Sequence, residues 1–455
     1  MTAPEEKYTD NYYAEDDILL PILAALEEEN YQKVRDAIDV IEPSEKAELL
    51  NVCDKGVREK IISIIGGIDA EIIPFLDSEV VEELSDIINT KLIAEEIEKL
   101  ESDDAVQFVE DLSEEKRDEV LEALTKETKE EIKEALNYHE DSARRLANTQ
   151  FVTAKYDATV GDVIDLLRTS NDLPQDFYTI FILDEEGKPE SFIPLSRITR
   201  NKRDVKLSEL KEDNLKAIHV DTKQEDVANL FRKHGLISAP VIDEKGVMIG
   251  VITVDDITYV IDEEAEKDLL QLAGLSADAD IFSPVIKKLK NRTPWLLVNL
   301  FSSLMVSIII SLFEASIHRI IALAALMPVV ASLSGISGSQ ALTISVRAIA
   351  TNQLTFLNFF RVLRKEVLTS LLNGLLIGSF VFLGSYLLYQ SIDLSGVMML
   401  AIILTFLISA LAGASIPIIL DSMKIDPAIA SSAIVLALTD VSSFFIFLGL
   451  ATALL

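Results

Sequence analysis

The run Ala437-Leu438-Thr439-Asp440-Val441-Ser442-Ser443-Phe444 decides how this chain is read. It lies deep in the last of several apolar segments of membrane-spanning length, which begin near residue 292. Asp440 is followed by the largely apolar stretch Phe444 to Ala451. A carboxylate at that depth is costly unless it faces a water-filled cavity or a partner, so it marks a functional site by default. The competing reading packs it into a helix contact with Ser or Thr partners. The chain therefore reads as an integral membrane protein that moves a cation past Asp440, under the control of a large cytoplasmic domain.

Charge supports that division. The chain has 41 Lys and Arg against 75 Asp and Glu, a net charge of -34. From Arg292 onward there are seven basic and six acidic residues, so the first 291 residues carry 34 against 69. Such acidity repels nucleic acid and attracts small cations. The single cysteine, Cys53, excludes an internal disulfide and a Cys-rich metal site. The first apolar clusters are short and lie among acids, unlike a signal peptide, so the soluble part is expected in the cytoplasm.

Residues 1–17 read as a flexible N-terminus, and 18–139 as an acidic all-α superhelix of short helices. Apolar residues recur there at three- and four-residue spacings, as at Val80, Leu84, Ile87 and Ile88. Ser44 and Ser113, each followed by acids, are the expected N-caps. Asp16-Asp17, Asp103-Asp104 and Glu114-Glu115 read as solvated faces, a minority of such acids being free to share a metal ion with the next domain.

An internal repeat follows in 140–262. Asp157, Val163 and Leu166 recur 64 positions later as Asp221, Val227 and Leu230. Each helix leads to a strand and an acidic turn, Asp184-Glu185-Glu186-Gly187 and Asp243-Glu244-Lys245-Gly246. Two β-α-β-β-α units are implied, and the pattern resembles a tandem cystathionine-β-synthase (CBS) pair. Gly250-x-x-Thr253-x-x-Asp256 matches that family's nucleotide-contact signature, implying ATP or another adenine nucleotide held by Thr253 and Asp256. The first copy has Ser196-x-x-Thr199 and no Asp, so at most one full site is expected.

Residues 263–291 read as connecting helices: 260–274 is an amphipathic acidic stretch, and 283–291 leads to a helix start at Pro294. The membrane domain, 292–455, is expected to have five helical spans near 294–312, 320–349, 368–388, 395–420 and 427–455. The second is expected to be interrupted by Pro328 and the small polar run from Ser332 to Gln340. Arg347, Arg361, Arg364, Lys365 and Lys424 place their loops, and the N-terminus, inside; five spans then put the C-terminus outside the plasma membrane. An odd number of spans with one polar last helix suggests a pore at a homodimer axis surrounded by membrane lipid. One carboxylate per subunit suits outer-sphere contact with hydrated Mg²⁺, which sheds water reluctantly.

Nearly the whole chain resembles the MgtE-type magnesium channels. The similarity is dense at Val251-Ile252-Thr253-Val254-Asp255-Asp256, Pro294-Trp295-Leu296-Leu297, Glu366 with Asn373-Gly374, Asp426-Pro427-Ala428 and Thr439-Asp440-Val441. The resemblance implies a homodimer passing Mg²⁺ inward, with Asp440 on the hydrated ion and closure by Mg²⁺ at cytoplasmic domain interfaces. Expected pore residues are Asp440, Ser443, Thr439, Gly335, Gly338 and Gln340. Expected regulatory metal ligands are Asp255, Asp256, Glu263, Glu264 and Asp268. Departures are Ile336 where the family has Asn, Ser432-Ala433 and Leu436 before Asp440, and Tyr259 and Lys267 where a carboxylate is usual.

His139, His219, His234 and His318 lack partners at metal-ligating spacing, and no nucleophile-base set, Walker loop or Rossmann fingerprint is present. An enzyme is not expected. The leading function is a Mg²⁺-preferring channel gated by cytoplasmic Mg²⁺. The alternatives are a coupled divalent-cation carrier or exporter of the same fold, and a non-conducting membrane-anchored Mg²⁺ or nucleotide sensor.

Overall fold

A computed structural model describes residues 21–26, 28–170, 173–174, 177–276, 279 and 285–455. The expected flexible stretch 1–17, Asp16-Asp17, and Ser283 and Pro284 lie outside the described residues. Two compact units divide the chain, one to Ile261 and one from Asp262.

In the first unit, residues 21–26 are helical and precede α1 (Tyr31–Ile38), α2 (Pro43–Val52), α3 (Lys55–Ile65), α4 (Ser78–Ile87), α5 (Thr90–Ile97), α6 (Ser102–Glu110), α7 (Glu114–Ala123) and α8 (Lys126–Ala135). A 3-10 turn, Ala70–Phe75, links α3 and α4. Helices this short are stabilised by packing, and Ile61, Leu84, Ile97, Val109 and Ile132 share one buried core. Ser113 takes the N-cap position of α7, but its side chain makes no capping hydrogen bond there. Ser44 does not cap α2: Glu42 does, in a reciprocal box in which its backbone N–H donates to Glu45 at 2.9 Å, because Pro43 takes the first helical position.

The repeat is a pair of three-stranded sheets. β1 (Val152–Lys155), α9 (Val160–Thr169), β2 (Thr179–Leu183), β3 (Pro189–Pro194) and α10 (Leu195–Arg200) are followed by β4 (Ile218–His219), α11 (Gln224–His234), β5 (Ser238–Ile242) and β6 (Met248–Thr253). In each sheet the first pairing is parallel and the second antiparallel. Asp184 and Asp243 each accept two backbone N–H bonds in matching turns, at 2.8 Å and at 2.8 and 2.9 Å. Gly187 and Gly246 supply the positive φ there, 82° and 81°. The copies meet through Phe181, Met248 and Val251, and Ser238 Oγ donates to Thr179 Oγ1 at 2.7 Å.

Helix α12 (Val254–Leu272) starts directly after β6, six residues before the amphipathic stretch expected at 260, since Asp255 and Asp256 occupy its first turn and suit a helix N-terminus. In the second unit come α13 (Val285–Leu312), a short α14 (Glu314–Arg319), α15 (Ala322–Ala350), α16 (Phe359–Tyr389), α17 (Ile392–Ser422) and α18 (Pro427–Leu454). Five of these are long and apolar enough to cross a membrane: α13, α15, α16, α17 and α18. Two expectations are corrected. Pro294 lies inside α13, not at a helix start; the carbonyl it leaves unpaired belongs to Lys290, in the polar end of the helix. The second span is one continuous helix through Pro328 and the Ser-Gly run. Pro328 falls in its second turn, and the small residues are held by close neighbours: a Cβ on Gly413 would lie 2.7 Å from Gly338 O. His318 and Arg319 lie before the second span, in the last turn of α14.

Candidate functional site

The last span packs along the second at two glycines. A Cβ on Gly338 would lie 2.8 Å from Thr439 Cγ2, whereas at Gly335 the nearest such atom is Leu436 Cδ1 at 3.8 Å. Gly338 thus lets the helices touch, and Thr439 and Ser443 are fully buried by the packing. Their hydroxyls bond back into α18, Thr439 to Leu436 O at 3.0 Å and Ser443 to Asp440 O at 2.9 Å. The structure therefore gives Thr439, Ser443 and Gly338 a packing environment, although they are among the expected pore residues. Ser334 Oγ and Ser409 Oγ share a buried hydrogen bond of 2.9 Å in the same layer.

Asp440 is placed differently. It is half-buried, and no described residue hydrogen-bonds or ion-pairs with its carboxylate. One turn earlier on its face is Leu436, 42% exposed, and one turn before that Ser432. On the second span Ser332, Ile336, Ser339, Gln340 and Thr343 form an exposed stripe at helical spacing. Gln340 and Gly335 accompany this stripe. A row of polar side chains open to lipid in the middle of a span is unfavourable.

In the first unit several acids come together where sequence spacing gave little signal. Residues 144–149 tie the helical domain to the repeat: Arg145 Nη1 donates to Glu110 at 2.6 Å, Thr149 N–H to Ser102 Oγ at 2.8 Å, and Asn148 to Glu101. That contact brings Asp103 and Asp104 towards Asp256, so they do not form the solvated face expected. Asp103 is buried and its Oδ1 has no hydrogen-bond partner among the described residues. Burial and the charge of Asp256 push its carboxyl well above the usual range. The same causes, in the same order, push Asp104 up to about 7. Burial raises Asp256 to about 6, although the Thr253 hydroxyl donates to it at 2.8 Å and opposes the rise. Nearby, the rings of Phe75 and Tyr259 meet edge to face at 6.5 Å between centroids. Tyr259 thus makes an apolar contact at a position where a ligand was expected.

In the second unit, Lys267 pairs with two expected ligands, Glu263 at 3.0 Å and Glu264 at 3.3 Å. Burial raises Asp268 to about 6, with Asp426 and Glu264 contributing as like charges. Asp426 caps the last span, accepting from Ala428 N–H at 2.8 Å. Leu272, ending α12, packs with Leu342, Val346, Ala428 and Val435 of the second and last spans. Among the described residues, no three His, Cys, Asp or Glu side chains form a ready metal-ligand set. Sequence reasoning missed Glu101 and Asp426; Asp426 had a signal, as the N-cap before Pro427.

The adenine nucleotide expected at Thr253 and Asp256 would lie beside the second CBS copy. The cleft beside Thr253 holds about 40 Å³ and is lined by Glu101, Tyr178 and Asp255. A nucleotide-sized pocket is several hundred Å³, roughly 300 or more. In the first copy, Thr199 bonds only into its own helix.

Sequence profiles match three stretches: the MgtE divalent cation transporter at 327–450, the MgtE intracellular N domain at 65–141 and the CBS domain at 207–263. The chain is 30% identical to the magnesium transporter MgtE of Thermus thermophilus over 321 residues, 70% of this chain and 71% of that one. Identity to the magnesium transporter MgtE of Bacillus subtilis is 27% over 439 residues, 96% of this chain and 97% of that one. A crystal structure of the cytosolic domain of the Mg²⁺ channel MgtE in complex with ATP covers 53% of this chain and 99% of that one, at 24% identity and a TM-score of 0.49. With its helical N domain, CBS pair and five spans, the chain belongs to the MgtE family of magnesium transporters.

Proposed function

We propose that this chain is a Mg²⁺-preferring channel that works as a homodimer in the plasma membrane, passes Mg²⁺ inward and is closed by cytoplasmic Mg²⁺. The observation that carries the reading is Asp440: a half-buried carboxylate inside the last span, without a partner among the described residues. A second copy laid on the stripe Ser332–Ile336–Ser339–Gln340–Thr343 would remove those polar groups from lipid and place two Asp440 carboxylates about one path. Two carboxylates and few other oxygens suit an ion that keeps its water shell. The positive loops support an inside N-terminus and an outside C-terminus.

Closure draws on the acids of each unit. A cation among Asp103, Asp104, Asp255 and Asp256 would offset their mutual repulsion, and the orphaned Asp103 Oδ1 is an oxygen suited to a hard cation. In the second unit Asp268, Glu264 and Asp426 present a similar problem at the end of α12. Leu272 seats that helix on the second and last spans, so a shift of α12 reaches the pore wall by direct packing. A complete switch from 1:99 to 99:1 needs about 5.5 kcal/mol of differential binding, so several sites act together. Closure of this kind does not require a nucleotide at Thr253 and Asp256.

The test is Mg²⁺ flux into liposomes containing purified protein. Asp440→Ala should abolish flux and leave the dimer intact by size-exclusion light scattering. Wild-type flux in that variant would sink the assignment. Current under voltage clamp without a counter-ion gradient separates the channel from a coupled carrier.

A further inference from the structure

The link between the second and third spans has a feature that ion conduction does not use. After α15 ends, Asn352 takes a left-handed backbone, φ 55°, and the chain turns sharply. Asn358 then fastens the turn from both sides, its Nδ2 donating to Gln353 O at 2.7 Å and its Oδ1 accepting from Thr355 N–H at 2.9 Å. Leu354 is buried as an anchor, and its N–H returns to Ala348 O at 2.8 Å. A loop so fixed would ordinarily turn its apolar residues inward. This one displays Phe356 at 73%, Leu357 at 98% and Phe360 at 75% exposure. Four cations flank that tip along the chain: Arg347 at the end of α15, and Arg361, Arg364 and Lys365 in the first two turns of α16. None of the four has an ion pair among the described residues. Glu366 is the one carboxylate between residues 315 and 392, and it is half-buried.

Large apolar side chains beside unpaired cations, at the end of two membrane spans, match the boundary of an anionic leaflet. Phe356, Leu357 and Phe360 suit the acyl edge, while Arg and Lys reach back to the phosphates. We propose that this loop is a binding site for anionic phospholipid headgroups, which fix the end of the second span to the membrane surface. The site requires only that these helices span a membrane, and it stands whether or not the channel reading does. Its consequence is local: the second span also carries Leu342 and Val346, on which Leu272 packs, so headgroup binding would steady the seat of α12.

Native mass spectrometry of the purified full-length protein, given phosphatidylglycerol or phosphatidylcholine with the same acyl chains, tests this. Wild type should retain phosphatidylglycerol preferentially, and retention should fall as salt rises from 0.05 to 0.5 M, roughly, as screening predicts. Arg361→Gln/Arg364→Gln/Lys365→Gln should weaken phosphatidylglycerol binding about a hundredfold, at roughly fivefold per charge. Arg361→Lys/Arg364→Lys should retain it, and Leu357→Ser, a change at a fully exposed side chain, should weaken it a few-fold. Equal retention of both lipids by wild type would overturn the proposal without recourse to any variant. So would a dimer that dissociates in Leu357→Ser while lipid retention is unchanged, which would assign the face to a second copy.

Discussion

Gly338 and Thr439 meet in a close contact of the second and last spans: a Cβ on the glycine would lie 2.8 Å from the threonine Cγ2 and 3.3 Å from Val435 Cγ1. Neither neighbour is a flexible chain end, so Gly338→Ala must part the helices or strain them. Overpacking of this kind costs about 1–3 kcal/mol. We expect Gly338→Ala to lower the melting temperature and reduce Mg²⁺ flux, and Gly335→Ala, with its nearest atom at 3.8 Å, to melt as wild type does. Indistinguishable melting of the two variants would show that this contact does not hold the two spans together.

Ile336 stands on the exposed stripe of the second span, 54% open on the single chain. On the channel reading, an apolar group in place of an amide leaves this position of the stripe without a group to order the water of a passing ion. Mg²⁺, Mn²⁺ and Co²⁺ are close in size, so hydration geometry must discriminate between them. Ile336→Asn should therefore sharpen preference for Mg²⁺ several-fold in competition flux assays. Equal competition ratios in the two proteins would make Ile336 a packing residue only.

The raised carboxyls of Asp103, Asp104 and Asp256 give docking of the helical domain on the CBS pair a defined pH dependence. Undocked and solvated, these acids ionise near pH 3.9. Docked, Asp104 holds its proton to about pH 7 and Asp256 to about pH 6. The docked state thus binds more protons through that window, and its stability falls as pH rises from about 4 to 7. Without Mg²⁺, protease protection of the 144–149 link should be high at pH 5.5, low at pH 8, and restored at pH 8 by Mg²⁺. Protection that ignores pH in chelator is the outcome to look for against this account.

Lys267 competes with any cation for Glu263 and Glu264. Each such helical pair contributes only about 0.3–0.5 kcal/mol, so removing both leaves α12 folded. Lys267→Glu adds a carboxylate and removes the cation that pairs with Glu263 and Glu264. The internal Mg²⁺ concentration that halves open probability should drop several-fold in patch recordings, and an unmoved midpoint would exclude this helix from sensing.

Much of this was legible in one dimension. Hydropathy gave the five spans, because a lipid core demands apolar length regardless of partners. The 64-residue repeat gave the paired sheets, because Asp184 with Gly187 and Asp243 with Gly246 encode the same turn locally. Asp440 stood out because charge is rare inside a span. Tertiary structure decided what spacing could not. Thr439 and Asp440 are adjacent in sequence, yet a helix turns successive residues by about 100°. One is buried against Gly338 and the other is left open. Asp103 and Asp256 lie 153 positions apart, and only folding brings their charges within reach of each other. Pro294 and Pro328 read locally as a helix start and an interruption, but both helices continue, because packing and the polar ends absorb the lost bonds. Periodicity and composition act through each residue's own solvent preference, whereas the site depends on which side chains of distant elements share a space.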